Sequence, residues 1–450
     1  MTWVLSIGGK PAKILRPTAD GWVTVLGVDP KPVAPVEPPP TDPSTDERPD
    51  LMSPRHDPAP PSGPILNVAT LASQTLNRAT VPADGSVLSL TKHVLTVDVT
   101  SIRLAWEVTT GWFTAASGGT YRMWIEGAGL TAPLPLTFDG SETVTVAAPT
   151  NSTPATYTTD PVAVSWIAGD RITVGVEAVA EAGATVPADS TGLRPGVDPS
   201  GAEASIRPSR IEAASDKTAW VVIGDSIAQQ RYSYGEQALS RAGLAAVKSA
   251  IGGDGYVYWK DGAGGGRYAG RVSRHAPYAT HILDTLGAND TNYDNAIRTW
   301  RYMRRNSALK IVKNTLHPTH KYRTYAEAIL EANQAQSREP RVHDFNEWLR
   351  DGAPITSDWE TALPTGTTEP GAIRCTVVSY DGSTVTNRDE GHLLEAVVEA
   401  SAAVELSREN PVYSEEALKI IGAGDSLHPA PGVHKIMAER IMADLTKLGF

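Results

Sequence analysis

The chain has 450 residues, of which 41% are hydrophobic and 20% are charged, so it is long enough for two or three domains with apolar cores. Its 51 acidic and 40 basic residues give a net charge of -11. This balance argues against nucleic acid as a partner, because nucleic-acid binding depends on clustered cations. The lack of an apolar run of about twenty residues argues against a transmembrane helix. The single cysteine, Cys375, excludes an intrachain disulfide and a cysteine-rich zinc site.

The first 64 residues divide into two segments. Residues 1–29 alternate apolar and polar positions around turn signals such as Gly8-Gly9 and Asp20-Gly21, which predicts a small β unit. One or two hairpins bury too little surface to be stable alone, so we expect a docking element held by a partner. Residues 30–64 contain thirteen prolines, and this composition predicts an extended interdomain linker.

Residues 65–205 carry a period-two pattern in short segments separated by Gly, Pro, Asp and Ser. Several short strands at this spacing predict a β-sandwich or a jelly roll. Four tryptophans lie in this region, and their faces could stack on sugar rings. We expect most of them to fill the core instead, because tryptophan buries a large area there. They are Trp106, Trp112, Trp124 and Trp166.

Residues 206–450 alternate apolar runs with helical patterns, which predicts an α/β domain. Continuous apolar runs, typical of buried parallel strands, occur at 219–223, 282–286 and 309–312. Helical patterns occur at 234–242, 295–305, 325–336 and 432–448. The stretch 351–421 is polar and glycine-rich, and we expect it to be a surface decoration, a lid or a partner-binding insertion that contains a helix near 392–406.

A candidate nucleophile follows the first strand of this α/β domain, in Gly224-Asp225-Ser226. Ligands of open α/β sheets gather at the carboxyl ends of the strands, where Ser226 would lie. A serine hydroxyl needs a base, and Asp425-Ser426-Leu427-His428 supplies one just before the last helix. A carboxylate three residues before a histidine can reach its Nδ1 and orient the ring, so Asp425 would fix His428 as the proton acceptor.

Two further loops supply candidate oxyanion donors. Gly252-Gly253-Asp254 follows a further predicted strand between the apolar runs 219–223 and 282–286, and glycine there lets backbone N–H groups approach a substrate closely. Gly287-Ala288-Asn289-Asp290 directly follows the apolar run 282–286, and an asparagine amide is a suitable donor. Each segment alone is typical of a turn, but the four segments in this order predict an active site.

Together these four segments resemble the sequence blocks of the SGNH (GDSL-type) esterase and lipase family over residues 216–450. The resemblance implies a flavodoxin-like α/β hydrolase domain, whose parallel sheet is covered by helices on both faces, behind the β-sandwich of a multidomain chain. It implies Ser226 as nucleophile, His428 as general base and Asp425 as its partner. The implied oxyanion donors are the Ser226 and Gly253 N–H groups and the Asn289 side chain, with no metal and no cofactor.

A glycine-rich loop at 252–270 bears several aromatic residues. Beside an oxyanion glycine, Tyr256, Tyr258 and Trp259 could line an acyl or sugar site. The run Gly262-Ala263-Gly264-Gly265-Gly266 lacks the Lys-Ser/Thr of a phosphate-binding loop.

The leading hypothesis is a serine esterase that cleaves acyl esters of cell-envelope glycans or lipids through an acyl-enzyme. The order of docking unit, linker, sandwich and terminal hydrolase domain also resembles minor tail proteins of actinobacterial phages. That likeness implies a location on the virion, with residues 1–29 binding other tail proteins. It would explain an exterior role without a secretory signal at the start of the sequence.

Two alternatives stay open. One is a structural or receptor-binding tail protein whose hydrolase fold is not catalytic. The other is a bacterial carbohydrate deacetylase that is extracellular by a route not visible in the sequence. The sequence leaves the oligomeric state open, with a homo-oligomer among the possibilities.

Overall fold

A computed structural model of the chain describes residues 3–7, 10–18, 21–27, 63–73, 77–108, 118–147, 155–188, 206–230, 233–260, 272–318, 340–417 and 428–450. Most of the predicted linker, Trp112, the predicted helix 325–336, the 262–266 glycine run and Asp425 lie outside these residues. The chain divides into two compact units, Met1–His56 and Asp57–Phe450.

The first unit contains a three-stranded antiparallel sheet in the order β1-β2-β3. Its strands are β1 (Trp3–Ile7), β2 (Lys10–Thr18) and β3 (Gly21–Gly27). The period-two pattern of this segment therefore forms the small β unit that it predicts. Its docking role stays a prediction.

The second unit begins with two five-stranded antiparallel sheets that share one apolar core. One sheet has the order β10-β9-β14-β7 with β11 also on β9, and the other has the order β12-β8-β16-β4 with β13 also on β8. A separate two-stranded sheet pairs β15 with β6. The strands are β4 (Ile65–Asn67), β5 (Ala72–Ser73), β6 (Asn77–Thr80), β7 (Ser86–Val94), β8 (Val99–Val108), β9 (Gly119–Glu126), β10 (Leu134–Leu136), β11 (Val144–Val146), β12 (Ala155–Thr158), β13 (Val162–Trp166), β14 (Arg171–Val179), β15 (Thr185–Ala188) and β16 (Arg210–Ala214).

The described tryptophans of the sandwich are buried rather than displayed. Trp106 and Trp166 lie in the shared core. Trp124 lies on the outer side of its sheet and is only 9% exposed. Its indole occupies the space above Gly175, where a Cβ would come within 2.0 Å of the ring. None of these three side chains offers an open aromatic face of the kind that sugar stacking needs.

The α/β part contains an eight-stranded sheet in the order β24-β23-β25-β20-β19-β17-β18-β5, and a two-stranded sheet of β21 and β22. Its strands are β17 (Ala219–Gly224), β18 (Ala245–Ala250), β19 (His281–Asp284), β20 (Lys310–Asn314), β21 (Ile355–Thr356), β22 (Ala372–Ile373), β23 (Thr376–Val378), β24 (Val385–Thr386) and β25 (Ala396–Val398). Its helices are α1 (Ser226–Gln229), α2 (Tyr234–Arg241), α3 (Tyr293–Asn306), α4 (Pro340–Arg350) and α5 (Pro431–Lys447), with 3-10 turns at Tyr256–Tyr258, Ala276–Tyr278 and Ser401–Ala403.

The parallel centre of this sheet is flavodoxin-like. In chain order its five strands β17, β18, β19, β20 and β25 take the spatial order 2-1-3-4-5. One apolar cluster, with Trp300 of α3 and Trp348 of α4, covers one face. A second, with Leu239 of α2 and Ile441 of α5, covers the other. The strand order therefore reverses between β17 and β19, and this switch point is where such sheets bind ligands.

The stretch 351–421 differs from its prediction as a decoration with a helix near 392–406. It supplies β25, which pairs with β20 in the middle of the sheet, and also β23 and β24 at the edge. Ala396, Val397 and Val398 are fully buried between two strands. The helical prediction there is wrong because β-branched residues buried on both faces favour a parallel strand.

Two strands, β16 and β5, pair with sheets on the opposite side of the predicted domain boundary from their place in the sequence. Strand β16 lies beyond residue 206 but pairs with β8 and β4 of the sandwich. Strand β5 lies within the predicted sandwich segment but pairs with β18 of the parallel sheet. The predicted boundary at 206 therefore falls before a strand that the sandwich uses.

Candidate active site

Ser226 lies at the carboxyl end of β17, at the switch point of the parallel sheet. Asp225 caps helix α1, and its carboxylate accepts the Ile227 N–H at 2.9 Å. Ser226 is the first residue of that helix, so its own N–H has no partner within the helix. The local sequence thus forms a strand, a one-residue helix cap and a short helix whose first residue, Ser226, carries the hydroxyl.

His428 meets Ser226 across 202 positions of the chain. Its Nε2 lies 2.7 Å from Ser226 Oγ. The imidazole is 6% exposed, whereas Ser226 is only half-buried. This geometry lets the ring accept the hydroxyl proton, as the sequence predicts. Asp425 lies outside the described residues, so its role as the partner of His428 stays a prediction.

The turn after β18 determines which glycine can donate to an oxyanion. Gly252 donates its N–H to Gln229 Oε1 at 2.7 Å. Gly253 adopts φ +80°, a conformation that favours glycine. Its N–H has no acceptor within the described part of the chain. The geometry therefore agrees with Gly253 as the backbone donor that the family resemblance implies.

Asn289 is held beside this turn. Its Nδ2 donates to the Asp254 carbonyl at 2.8 Å, and the side chain is exposed. The second amide hydrogen has no acceptor among the described residues, so it can donate to a ligand. Asp290 has a structural role, because it accepts from the Val257 N–H at 2.7 Å and from Asn295 Nδ2 at 3.1 Å.

A buried polar layer supports these loops. Burial raises the pKa of Asp225 to about 7, although the Ile227 N–H and the Lys313 ammonium oppose the shift. Burial lowers the pKa of Lys313 to about 8. Lys313 Nζ donates to the Asp284 carbonyl at 3.1 Å and to the Leu286 carbonyl at 2.7 Å. Lys313 therefore anchors the start of the loop that carries Asn289.

Two of the three predicted substrate-binding aromatics lie in the core instead. Tyr256 and Trp259 are fully buried. Tyr256 donates its hydroxyl to Asp284 Oδ2 at 3.0 Å, and Trp259 Nε1 donates to Asp254 Oδ2 at 3.2 Å. The prediction is wrong for these two because the 3-10 turn after Gly255 directs them under the site. Tyr258 is 43% exposed, and its contact with a substrate stays a prediction.

A cavity of about 440 Å³ adjoins Asn289. Its described lining comes from the loop after β19 and from the start of α4. The polar lining residues are Asn289, Asp290, Thr291, Asn292, Tyr293, Arg341 and Asp344. Sequence reasoning missed the α4 residues because they follow Asn289 by about fifty positions and belong to no motif of catalytic residues.

His434 is a second buried histidine near the Ser226–His428 pair. Its Nε2 lies 2.5 Å from Gln230 Oε1, and its Nδ1 accepts the Tyr234 N–H at 3.2 Å. Burial, with His317, His428 and Lys248, lowers its pKa to about 3. His434 is therefore neutral and links α5 to the segment between α1 and α2.

Among the described residues, no group of three or more His, Cys, Asp or Glu side chains is arranged to hold a metal ion. None of the helices in the described ranges combines the length and the apolar character needed to cross a membrane.

The chain is similar to solved structures of known proteins, but no match is found at the level of sequence. No family model and no curated protein matches the chain. A carbohydrate esterase family 2 enzyme with a carbohydrate-binding domain, from Corynascus thermopiles (Myceliophthora fergusii), is 12% identical over 86% of this chain and 100% of that one, with a TM-score of 0.31. A family two carbohydrate esterase from Clostridium thermocellum, in complex with cellohexaose, is 15% identical over 86% and 99%, with a TM-score of 0.31.

A putative GDSL-like lipase from Bacteroides ovatus is 9% identical over 81% of this chain and 84% of that one, again with a TM-score of 0.31. A likeness this distant assigns no activity to the chain. Its own fold and the Ser226–His428 pair define it as a candidate serine hydrolase of the flavodoxin-like α/β class. Within that class, the four sequence motifs resemble those of the SGNH (GDSL-type) esterases. No comparison supports the likeness to phage tail proteins, and attachment to a tail through residues 1–29 stays a prediction.

Proposed function

We propose that the chain is a serine esterase that hydrolyses acyl esters through an acyl-enzyme intermediate. The observation that carries the proposal is the 2.7 Å contact between His428 Nε2 and Ser226 Oγ at the switch point of the sheet. A serine hydroxyl is a weak nucleophile until a base removes its proton, and His428 is placed to do so.

In the first half-reaction, Ser226 Oγ attacks the ester carbonyl carbon while His428 Nε2 takes the hydroxyl proton. The carbonyl oxygen becomes an oxyanion that the Ser226 and Gly253 N–H groups and the Asn289 amide stabilise. Collapse of the tetrahedral intermediate breaks the bond to the alcohol, which receives the proton from His428. Water then attacks the acyl-serine by the same route, releasing the acid and restoring Ser226.

The polarity of the neighbouring cavity favours an acylated glycan over a lipid ester as the substrate. Its lining includes Arg341, Asp344 and Asn292. Such groups bind hydroxyl-rich alcohols, whereas long acyl chains need apolar walls. The alcohol side of the substrate is therefore a sugar, and an acetylated glycan of a cell envelope fits this description.

The test is the Ser226→Ala variant, assayed on p-nitrophenyl acetate, p-nitrophenyl butyrate and acetylated sugars. We expect kcat to fall about 10⁴-fold or more on every ester, because the nucleophile is lost. A fluorophosphonate probe should label Ser226 in the wild-type chain. Ser141→Ala, in an exposed turn of the sandwich, is the matched control and should keep full activity. Unchanged turnover in Ser226→Ala, or labelling at another residue, would contradict the proposal.

A further inference from the structure

A buried ion cluster lies behind the helix that carries the nucleophile. Lys248 of β18 places Nζ 3.3 Å from Glu236 Oε2 of α2, and both side chains are at most 3% exposed. The same ammonium donates to the carbonyls of Gln229 and Gln230 at 3.4 Å each. Buried charges are costly unless they are paired and hydrogen-bonded. Lys248 satisfies this requirement by binding the carboxyl end of α1.

The connection from the sandwich completes the cluster. Arg207 Nη1 lies 3.1 Å from Glu236 Oε1 and also donates to the Leu71 carbonyl at 3.1 Å. The residue before it is anchored in the sandwich, where the Ile206 N–H donates to Ser89 Oγ at 3.0 Å. Burial alone would raise the pKa of Glu236, but Lys248 and Arg207 outweigh it and hold the pKa below its ordinary value. One anion is thus held between two cations, and one of them comes from the sandwich side.

Helix α1 transmits this contact to the active site. It begins at Ser226 and ends at Gln229, so the nucleophile and the Lys248 contact lie on a single helical turn. The Gln229 side chain also accepts the Gly252 N–H at 2.7 Å. A Cβ built on Gly252 would lie 3.6 Å from Ser226 Cβ. Gln229 therefore ties the glycine turn directly to the helix of the nucleophile.

We propose that Gln229, Lys248, Glu236 and Arg207 are positioning residues for the oxyanion hole. Arg207 and Glu236 hold Lys248, Lys248 holds the end of α1, and Gln229 holds Gly252 so that the next N–H, that of Gly253, stays available to the oxyanion. The sandwich is then a structural part of the catalytic site rather than a separable module. This inference rests on the proposed esterase activity.

The first test compares Gln229→Met with Gln229→Glu. Methionine matches the length of glutamine but lacks the acceptor oxygen, whereas glutamate keeps it. For Gln229→Met we expect kcat to fall at least about tenfold with little change in KM, because the lost contact acts on the transition state. A boronic acid that mimics the tetrahedral intermediate should lose affinity in parallel. Gln229→Glu should recover most of kcat.

Different results would contradict the positioning role and the proposed esterase activity. Full kcat in Gln229→Met, with Ser226→Ala inactive, would overturn the positioning role and leave the esterase intact. Equal loss in Gln229→Met and Gln229→Glu would show that the acceptor oxygen is not what matters, and would overturn it as well. Activity in Ser226→Ala would instead remove the proposed function.

The second test asks whether the Arg207 contact on the sandwich side affects catalysis through the oxyanion hole. In a double-mutant cycle of Arg207→Met and Gln229→Met, the two losses in kcat should be strongly non-additive, because both act through α1. Arg103→Met, which removes a half-exposed arginine paired with Glu212 at 2.8 Å in the sandwich, is the matched control and should leave kcat unchanged. Additive losses in the cycle would overturn the link. If Arg207→Met fails to fold, the Gln229 pair still decides the positioning role.

Discussion

A single hydrogen bond orients the side-chain amide of Asn289. Its Nδ2 donates one hydrogen bond to the Asp254 carbonyl at 2.8 Å, and this bond fixes the plane of the amide. The other hydrogen is then directed by the covalent geometry of the group. A donor held in this way costs no reorganisation when charge develops on a substrate oxygen.

We therefore expect Asn289→Ala to lower kcat by about 10²-fold to 10³-fold on p-nitrophenyl acetate, with KM little changed. Steady-state kinetics measures both constants. Asn306→Ala, at the exposed end of α3 where Nδ2 bonds the Tyr302 carbonyl, is the control and should behave like the wild-type chain. A wild-type kcat in Asn289→Ala would remove this residue from the oxyanion hole.

At the scale of single residues, the sequence predicted the reacting groups better than the walls around them. Ser226, Gly253 and Asn289 each belong to a short motif whose local geometry the structure bears out as a strand end, a turn and a loop. Tyr256 and Trp259 belong to no such motif, and their burial depends on Asp284 and Asp254 as hydrogen-bond partners. A sequence pattern does not reveal whether such a partner lies above or below an aromatic ring.

At the scale of elements, the junction of β17 and α1 sets the position of the nucleophile. Gly224 ends the strand where the helix crosses closely over the sheet. A Cβ there would lie 2.1 Å from Thr285 Oγ1 and 2.4 Å from Ala228 Cβ. Thr285 is itself fixed, because its hydroxyl donates to the Ile223 carbonyl at 2.6 Å. Glycine is required here by space rather than by φ.

We expect Gly224→Ala to lower the free energy of unfolding by about 3 kcal/mol or more, the upper range for overpacking a well-packed core. Urea denaturation followed by circular dichroism measures the loss. Gly129→Ala, where a Cβ meets nothing within 4 Å, is the control, and its positive φ limits the cost to about 1–2 kcal/mol. A smaller loss for Gly224→Ala than for the control would show that α1 can move away from the strand.

At the scale of the whole molecule, burial of neutral histidines makes the fold sensitive to acid. Burial lowers the pKa of five described histidines well below 6.5. They are His93, His275, His281 and His392, each at about 4, and His434 at about 3. A histidine with a depressed pKa binds a proton on unfolding between these values and its ordinary one, so its contribution to stability is lost as the pH falls through that window.

Buried carboxyls act in the opposite direction. Burial raises the pKa of Asp225 and of Glu405 to about 7, so between about pH 4 and pH 7 these groups lose their protons on unfolding. Together these five histidines and two carboxyls give a net uptake of between about two and three protons between pH 6 and pH 5, which corresponds to about 3 kcal/mol per pH unit. Stability should therefore fall steeply as the pH is lowered through this range.

Urea midpoints measured from pH 7 to pH 5 test this expectation. Replacing His434, which links α5 to the segment after α1, with glutamine keeps a neutral side chain that can hydrogen-bond. His434→Gln should therefore flatten the pH dependence by about one proton. A midpoint that stays constant between pH 6 and pH 5 would contradict the expected net proton uptake.

The sequence by itself determined the small N-terminal β unit, the alternation of strands and helices after residue 216, and the motifs that carry Ser226, Gly253 and Asn289. These features follow from short-range patterns, because a buried parallel strand is apolar throughout and a tight turn needs glycine. It did not determine that Ala396–Val398 is a central strand, since a short apolar run reads equally as helix or strand until its neighbours are known.

Only the tertiary structure decided the contacts between distant parts of the chain. It brought His428 to 2.7 Å from Ser226, placed Tyr256 and Trp259 under the site, and set Arg207 against Glu236 behind α1. Each of these contacts depends on the order of strands in the sheet and on which helices cover its faces. Local sequence patterns do not predict the strand order, because that order depends on how the whole core packs.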